Sequence, residues 1–222
     1  GGLGALLRAR LCGGGYGVAQ KMKGILLLNG TPYGGEIPAE FPVYCCDGAY
    51  RWAKNKVKIY KNIGDFDSLD EAPSPPPEEV YPSEKNFTDG EIAVRKMISD
   101  GITEIDVYGA FGGREDHFLG NVQLLYYCIS RGVAARLISE STIIFAVRGR
   151  VVFENCAGKT ISVFPFSAPL HILESRGLKY SYPEEIGYGE CRGVSNIVLE
   201  RGAYVAFGEG DTALVIINRG SV

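Results

Sequence analysis

From Lys23 to about Arg148, strand-length apolar runs alternate with stretches of helical periodicity; beyond that point the helical period stops and only short apolar runs remain. This single change of rhythm restricts the fold more than any other feature. Alternating strand and helix calls for a mostly parallel sheet with helices on its faces. Closely spaced strands with Gly, Asn and Asp between them call for an antiparallel β domain. The expected fold class is therefore α/β, with a C-terminal antiparallel β-sandwich. The expected boundaries are an N-terminal extension over 1–22, an α/β domain over 23–148 and a β domain over 149–222.

In the first part, Gly24–Leu28, Val43–Cys46, Lys58–Ile63, Glu104–Tyr108, Ala135–Ile138 and Thr142–Val147 read as strands. Ala49–Asn55, Thr88–Ser99 and Asp116–Arg131 read as helices, the second opened by a Thr88/Glu91 capping box. Asp70–Pro77 holds four prolines that no helix interior would accept, and reads as a loop. In the second part the expected strands are Val151–Glu154, Thr160–Phe164, His171–Glu174, Ile197–Glu200, Ala203–Phe207 and Ala213–Ile217. Gly1–Gly17 is rich in glycine, carries Arg8 and Arg10, and has no acidic residue, so it reads as a flexible extension outside the fold, with a targeting peptide as the alternative.

Composition narrows the partners. A net charge of −3 with 45% hydrophobic and 22% charged residues is ordinary globular composition, with no general attraction to nucleic acid or to an anionic membrane. No apolar run approaches the roughly 20 residues that span a bilayer. The six cysteines show no C-x-x-C pair and mostly sit in apolar segments, which points to reduced thiols and a cytoplasmic location rather than to disulfides or zinc.

In an open α/β sheet, ligands bind beyond the carboxyl ends of the strands, and four polar clusters fall there. Asp47-Gly48-Ala49 follows the second expected strand; Asp47 is either a ligand-facing acid or a helix N-cap. Asp65-Phe66-Asp67-Ser68 follows the third. In extended chain Asp65 and Asp67 would point the same way, and two adjacent carboxylates invite a cation such as Mg²⁺, the alternative being a solvated acidic turn. In Lys85-Asn86-Phe87-Thr88-Asp89, Thr88 caps a helix, Asp89 stands in its first turn and Lys85 can approach phosphate. Gly112-Gly113-Arg114-Glu115-Asp116-His117 joins a strand to a helix and offers Arg114 as a forked donor for phosphate oxygens, with Asp116 and His117 beside it. With two histidines in the chain, His117 suits hydrogen bonding better than metal ligation. Neither a dinucleotide fingerprint nor a Walker loop is present.

Taken together and in this order, Asp47-Gly48-Ala49, Gly64-Asp65-Phe66-Asp67-Ser68, Lys85-x-x-Thr88-Asp89 and Gly112-Gly113-Arg114-x-Asp116-His117-x-Leu119-x-Asn121 resemble the motifs of thiamine pyrophosphokinases. Gly177-Leu178-Lys179-Tyr180 and Gly193-Val194-Ser195-Asn196 resemble that family's thiamine-side motifs. The resemblance implies a homodimeric enzyme that moves a diphosphate from ATP to the hydroxyl of thiamine, with magnesium as cofactor. It further implies Asp47, Asp65, Asp67 and Asp89 as metal ligands. Lys85 and Arg114 would lie on the phosphates, with Gly48, Ser68, Thr88 and His117 around the nucleotide. Asp65, Asp67, Asp89, Arg114 and Asp116 would be catalytic, and Ser195 and Asn196 would face the vitamin. Two departures stand out. Asn86 replaces a common Asp in the second motif, and Ala49-Tyr50 replaces Gly and Asn in the first. The alternatives are a pyrophosphokinase for another hydroxymethyl heterocycle, such as a pterin, and a non-catalytic thiamine or nucleotide sensor.

Overall fold

The continuous apolar runs become the centre of a parallel sheet. In the computed structural model, which describes residues 21–66, 69, 72–77 and 87–220, β1 (Lys23–Leu27) lies between β2 (Val43–Cys46) and the strand Glu104–Tyr108. Ile25, Leu26 and Leu27 have no exposed surface, because a central parallel strand is covered on both faces. After β2 come a 3-10 turn at Asp47–Ala49 and the short α1 (Tyr50–Ala53); β3 (Lys61–Ile63) then forms the edge. Helix α2 (Asp89–Ser99) leads to β4 (Glu104–Tyr108), and α3 (Glu115–Ile129) leads to β5 (Ala134–Ile138). The order is β5-β4-β1-β2-β3, with every pair parallel. The chain moves outward from β1 through β2 to β3, then returns to the other side of β1 for β4. The switch point of the topology is therefore the crevice between β1 and β4.

The second unit is all β. It comprises β6 (Thr142–Val147), β7 (Arg150–Phe153), β8 (Thr160–Pro165), β9 (Leu170–Arg176), β10 (Glu185–Ile186), β11 (Asn196–Ile197), β12 (Ala203–Phe207) and β13 (Ala213–Asn218). Strands β11-β8-β13-β6 and β10-β9-β12-β7 pair antiparallel throughout. Strict alternation in β12 and β13 buries Val205, Phe207, Val215 and Ile217 on one face of each strand, the pattern that two facing sheets require.

The chain divides into compact units between Glu140 and Ser141. The expected boundary was at 148, yet Thr142–Val147 pairs with β13 through six residues and so belongs with the β unit. The expected extension over 1–22 lies outside the described residues except for Lys21 and Met22.

Candidate active site

Four segments meet beyond the carboxyl ends of the parallel sheet and enclose a cavity of about 660 Å³. Leu28, Asn29 and Gly30 continue from β1; Cys46 and Asp47 close β2; Phe87 to Gly90 open α2; Gly109 to Asn121 join β4 to α3. These include both sides of the crevice that the strand order picks out.

The walls at the crevice are zipped by backbone. Leu28 N donates to Tyr108 O at 2.9 Å, Gly30 N to Gly109 O at 2.8 Å and Thr31 N to Phe111 O at 2.7 Å, so the β1–β4 pairing runs on into the two loops. The glycines of the second loop are required by this closeness. A Cβ at Gly112, whose φ is +72°, would stand 2.1 Å from Thr31 Oγ1. Asn121 of α3 donates to Ala110 O at 3.0 Å, and the Phe111 and Phe118 rings lie 5.6 Å apart, which fixes the loop to its own helix.

On that frame Arg114 and Asp116 form an exposed fork: Nε and Nη2 of Arg114 donate to Asp116 at 3.1 and 2.6 Å. The hydrogen bond from the guanidinium holds the Asp116 carboxyl below the usual carboxylate range. His117 N also donates to Asp116 Oδ1, at 2.8 Å. With two of its five N–H groups engaged, Arg114 keeps Nη1 for an incoming anion.

On the other wall, Thr88 caps α2 as the sequence predicts, its Oγ1 accepting from Glu91 N at 3.2 Å. Asp89 stands in the first helical turn, and Cys46 Sγ donates to Asp89 O at 3.5 Å, joining this wall to the end of β2. Asp47 is not a helix N-cap. It begins the 3-10 turn with φ +26°, a conformation that costs energy for any side chain other than glycine and that collects at functional sites. Gly48 is buried behind it, where an added Cβ would meet the Asn29 side chain at 2.3 Å.

The structure therefore gathers Asp47, Thr88, Asp89, Arg114, Asp116 and His117 around one cavity. Asp65 is not among its lining residues. Phe66 is buried with φ +55°, so the chain at that residue is not extended as the argument for the Asp65/Asp67 pair assumed. Asp67, Ser68 and Lys85 lie outside the described residues. Sequence reasoning passed over Asn29 and Phe87 as lining residues. For Asn29 the signal was its place just past the end of the first strand.

Asp47 and Asp89 suit a hard cation in donor type, since magnesium takes one or two carboxylates and completes its sphere with water and substrate phosphates. Among the described residues no cluster of three or more His, Cys, Asp or Glu is assembled. Of the three carboxylates that line the cavity, Asp116 is engaged by Arg114, and Asp47 and Asp89 are the donors that an open site of that kind would use.

In the β unit, Ser195 is exposed with φ +60° and donates its N–H to Ser162 Oγ at 3.1 Å. Asn196 is 2% exposed. Its amide is committed to backbone, accepting from Tyr180 N at 3.1 Å and Ile197 N at 2.9 Å and donating to Tyr180 O at 2.8 Å. It presents Tyr180, whose ring is exposed, rather than reaching outward itself. Nearby, burial pushes the Tyr182 hydroxyl up to about 12.

An open parallel sheet with charged groups collected at its switch point, carried on one chain with an all-β unit, defines a two-unit protein whose α/β unit bears the candidate site. Residues 39–137 match the catalytic domain of thiamin pyrophosphokinase, and residues 150–210 match its vitamin B1 binding domain. The thiamine pyrophosphokinase of Bacillus subtilis is 33% identical over 157 residues, covering 67% of this chain and 73% of that protein. Its namesake crystal structure from the same organism superimposes with a TM-score of 0.77 at 24% identity, over 91% of this chain and all of that one. The thiamin pyrophosphokinase of Candida albicans follows the same fold, with a TM-score of 0.67 at 18% identity over 89% of each chain. The chain belongs to the thiamin pyrophosphokinase family.

Proposed function

We propose that the protein transfers a diphosphate group from ATP to the hydroxyl of thiamine, releasing AMP. The observation that carries this is the convergence of Asp47 from the end of β2, Asp89 from the start of α2 and Arg114 from the β4–α3 connection on one cavity at the switch point. The thiamine hydroxyl oxygen forms a bond to the β-phosphorus while the α–β bridging bond breaks toward AMP, and the hydroxyl proton passes to a cavity carboxylate. Arg114 holds the transferred phosphoryl oxygens as their charge spreads. The start of α2 adds N–H groups and the positive end of the helix dipole. Asp47 and Asp89 would hold magnesium, which when bound neutralises charge on the α- and β-phosphates. The motif resemblance assigns Asp65 and Asp67 to the same cation, Lys85 to the phosphates, and Ser68 to the nucleotide.

The β unit supports a vitamin site through Ser195 and the exposed Tyr180, an aromatic face suited to a cationic ring. A homodimer fits the exposed Leu173, Tyr188 and Leu199 of that unit. Among the described residues no helix is long and apolar enough to cross a membrane. The cysteines favour a reducing compartment such as the cytoplasm: burial pushes the Cys45 and Cys128 thiols up to about 12, which leaves them inert.

Incubation with ATP, Mg²⁺ and thiamine, followed by separation of the nucleotides, tests the reading. AMP should appear in step with thiamine diphosphate. ADP in its place, or turnover with a hydroxymethyl pterin alone, would overturn it.

A further inference from the structure

The cavity wall carries a phenyl ring that phosphate chemistry does not explain. Phe87 lines it directly before the Thr88 cap, with 47% of its surface exposed. Its ring is braced from the side of the helices. The Arg95 guanidinium carbon lies 4.7 Å from the Phe87 centroid. Arg95 is itself fixed by Glu91, through Nε at 3.1 Å and Nη2 at 2.7 Å, and lies 4.9 Å from the Tyr127 ring. An apolar ring held against a cation on one side and open to a charged cavity on the other offers a flat, immobilised surface.

We infer that Phe87 is the platform on which the base of the nucleotide donor stacks. This rests on the reading of the cavity as the donor's site. Thr88 and Asp89 place the phosphate chain at the start of α2, and the base must then lie within one nucleotide's reach of that point. Phe87, the residue before Thr88, is an exposed aromatic ring on the wall of the same cavity. It belongs to the unit matched by the catalytic domain, whereas the vitamin-binding match lies in the β unit. A ring that reads only the π-face accepts any purine, so the donor site discriminates weakly between ATP and GTP.

Binding measured by calorimetry without thiamine separates the parts. Mg²⁺-ATP and Mg²⁺-tripolyphosphate are titrated into wild type, Phe87→Ala and Phe87→Trp. Phe87→Ala should weaken ATP about tenfold and leave tripolyphosphate unchanged, with Phe87→Trp restoring ATP affinity. If both ligands weaken together, Phe87 only props the helix start and the inference fails. If neither weakens, or if thiamine affinity falls instead, it fails as well. A wild-type protein that binds ATP with this pattern yet yields no AMP would sink the proposed reaction and leave the stacking role standing.

Discussion

The two ends of the parallel sheet use the same kinds of side chain for opposite purposes. In its amino half, Ile25, Asp106 and Arg136 lie in register across β1, β4 and β5, and Lys23 and Glu104 lie one step earlier on the same face. Lys23 Nζ reaches Asp106 Oδ2 at 2.7 Å, while Arg136 reaches Asp106 through Nε at 2.7 Å and Glu104 through Nη2 at 2.9 Å. The Asp106 side chain is 4% exposed. Its charge is matched on both sides, so the cluster has nothing to offer a ligand. Beyond the carboxyl ends, the side chains of Arg114, which precedes α3, and Asp116 in its first turn are 73% and 62% exposed. One end is closed by pairing and holds the fold; the other is left open, where the proposed reaction would bind its substrate.

The comparison breaks if the two ends prove interchangeable under mutation. The largest effect belongs to Asp106→Ala, which strands Lys23 and Arg136 on a covered face with only Glu104 to balance them. Loss of one partner of a buried pair costs about 3 kcal/mol or more, read as a lower urea midpoint, while turnover per folded molecule stays as in wild type. Arg114→Ala is the converse. Turnover should fall about a hundredfold, with the melting temperature unchanged; Arg114→Lys, which keeps the charge without the fork, should fall between. A stable but inactive Asp106→Ala, or an unfolded Arg114→Ala, would end the distinction.

Helix α2 touches both ends, which sharpens the test. Its C-cap residue Asp100 sits where the helix dipole disfavours an acid. It accepts from Tyr44 Oη at 2.7 Å and Lys61 Nζ at 3.0 Å, and pairs with Lys96 at 3.1 Å. Partial burial works to raise its pKa, but these donors outweigh it and hold the carboxyl below its ordinary range. A depressed folded pKa means that the stabilisation is complete above the unfolded value and is lost as pH falls through the folded one. Asp100→Asn should therefore cost about 1 kcal/mol near neutrality. Its stability gap to wild type should close as the pH drops below about 4. A gap that widens in acid would show that Asp100 is not held as a carboxylate.

Much of this was legible in the chain, and what was not has physical causes. The change of rhythm gave the fold class, and the Thr88/Glu91 box gave a helix start that the structure reproduces. The amino-half network was hidden because Lys23, Asp106 and Arg136 come from three strands, and only register joins them. Glu185–Ile186 forms a two-residue strand too short to show a period. The Asp65/Asp67 argument assumed extended chain, and the left-handed Phe66 removed that assumption. Asn196 carries a motif's signature, yet its role in the described structure is to hold Tyr180. Spacing finds such residues but does not say which way an amide faces.

The smallest effect is the most discriminating, because it acts on the same helix as Asp100→Asn but at the open end. Thr88→Ala removes the acceptor of Glu91 N and frees one more N–H at the mouth of the cavity. A lost cap costs about 1 kcal/mol locally, but an exposed first turn can fray without carrying the sheet with it. The melting temperature should move less than for Asp100→Asn. Amide exchange at Glu91 should accelerate, and the KM for ATP should rise while that for thiamine does not. Thr88→Ser should restore all three, since serine caps as well as threonine. If instead the alanine variant loses as much global stability as Asp100→Asn, the first turn of α2 is part of the cooperative core, and the open end of the sheet is as firmly held as the closed one.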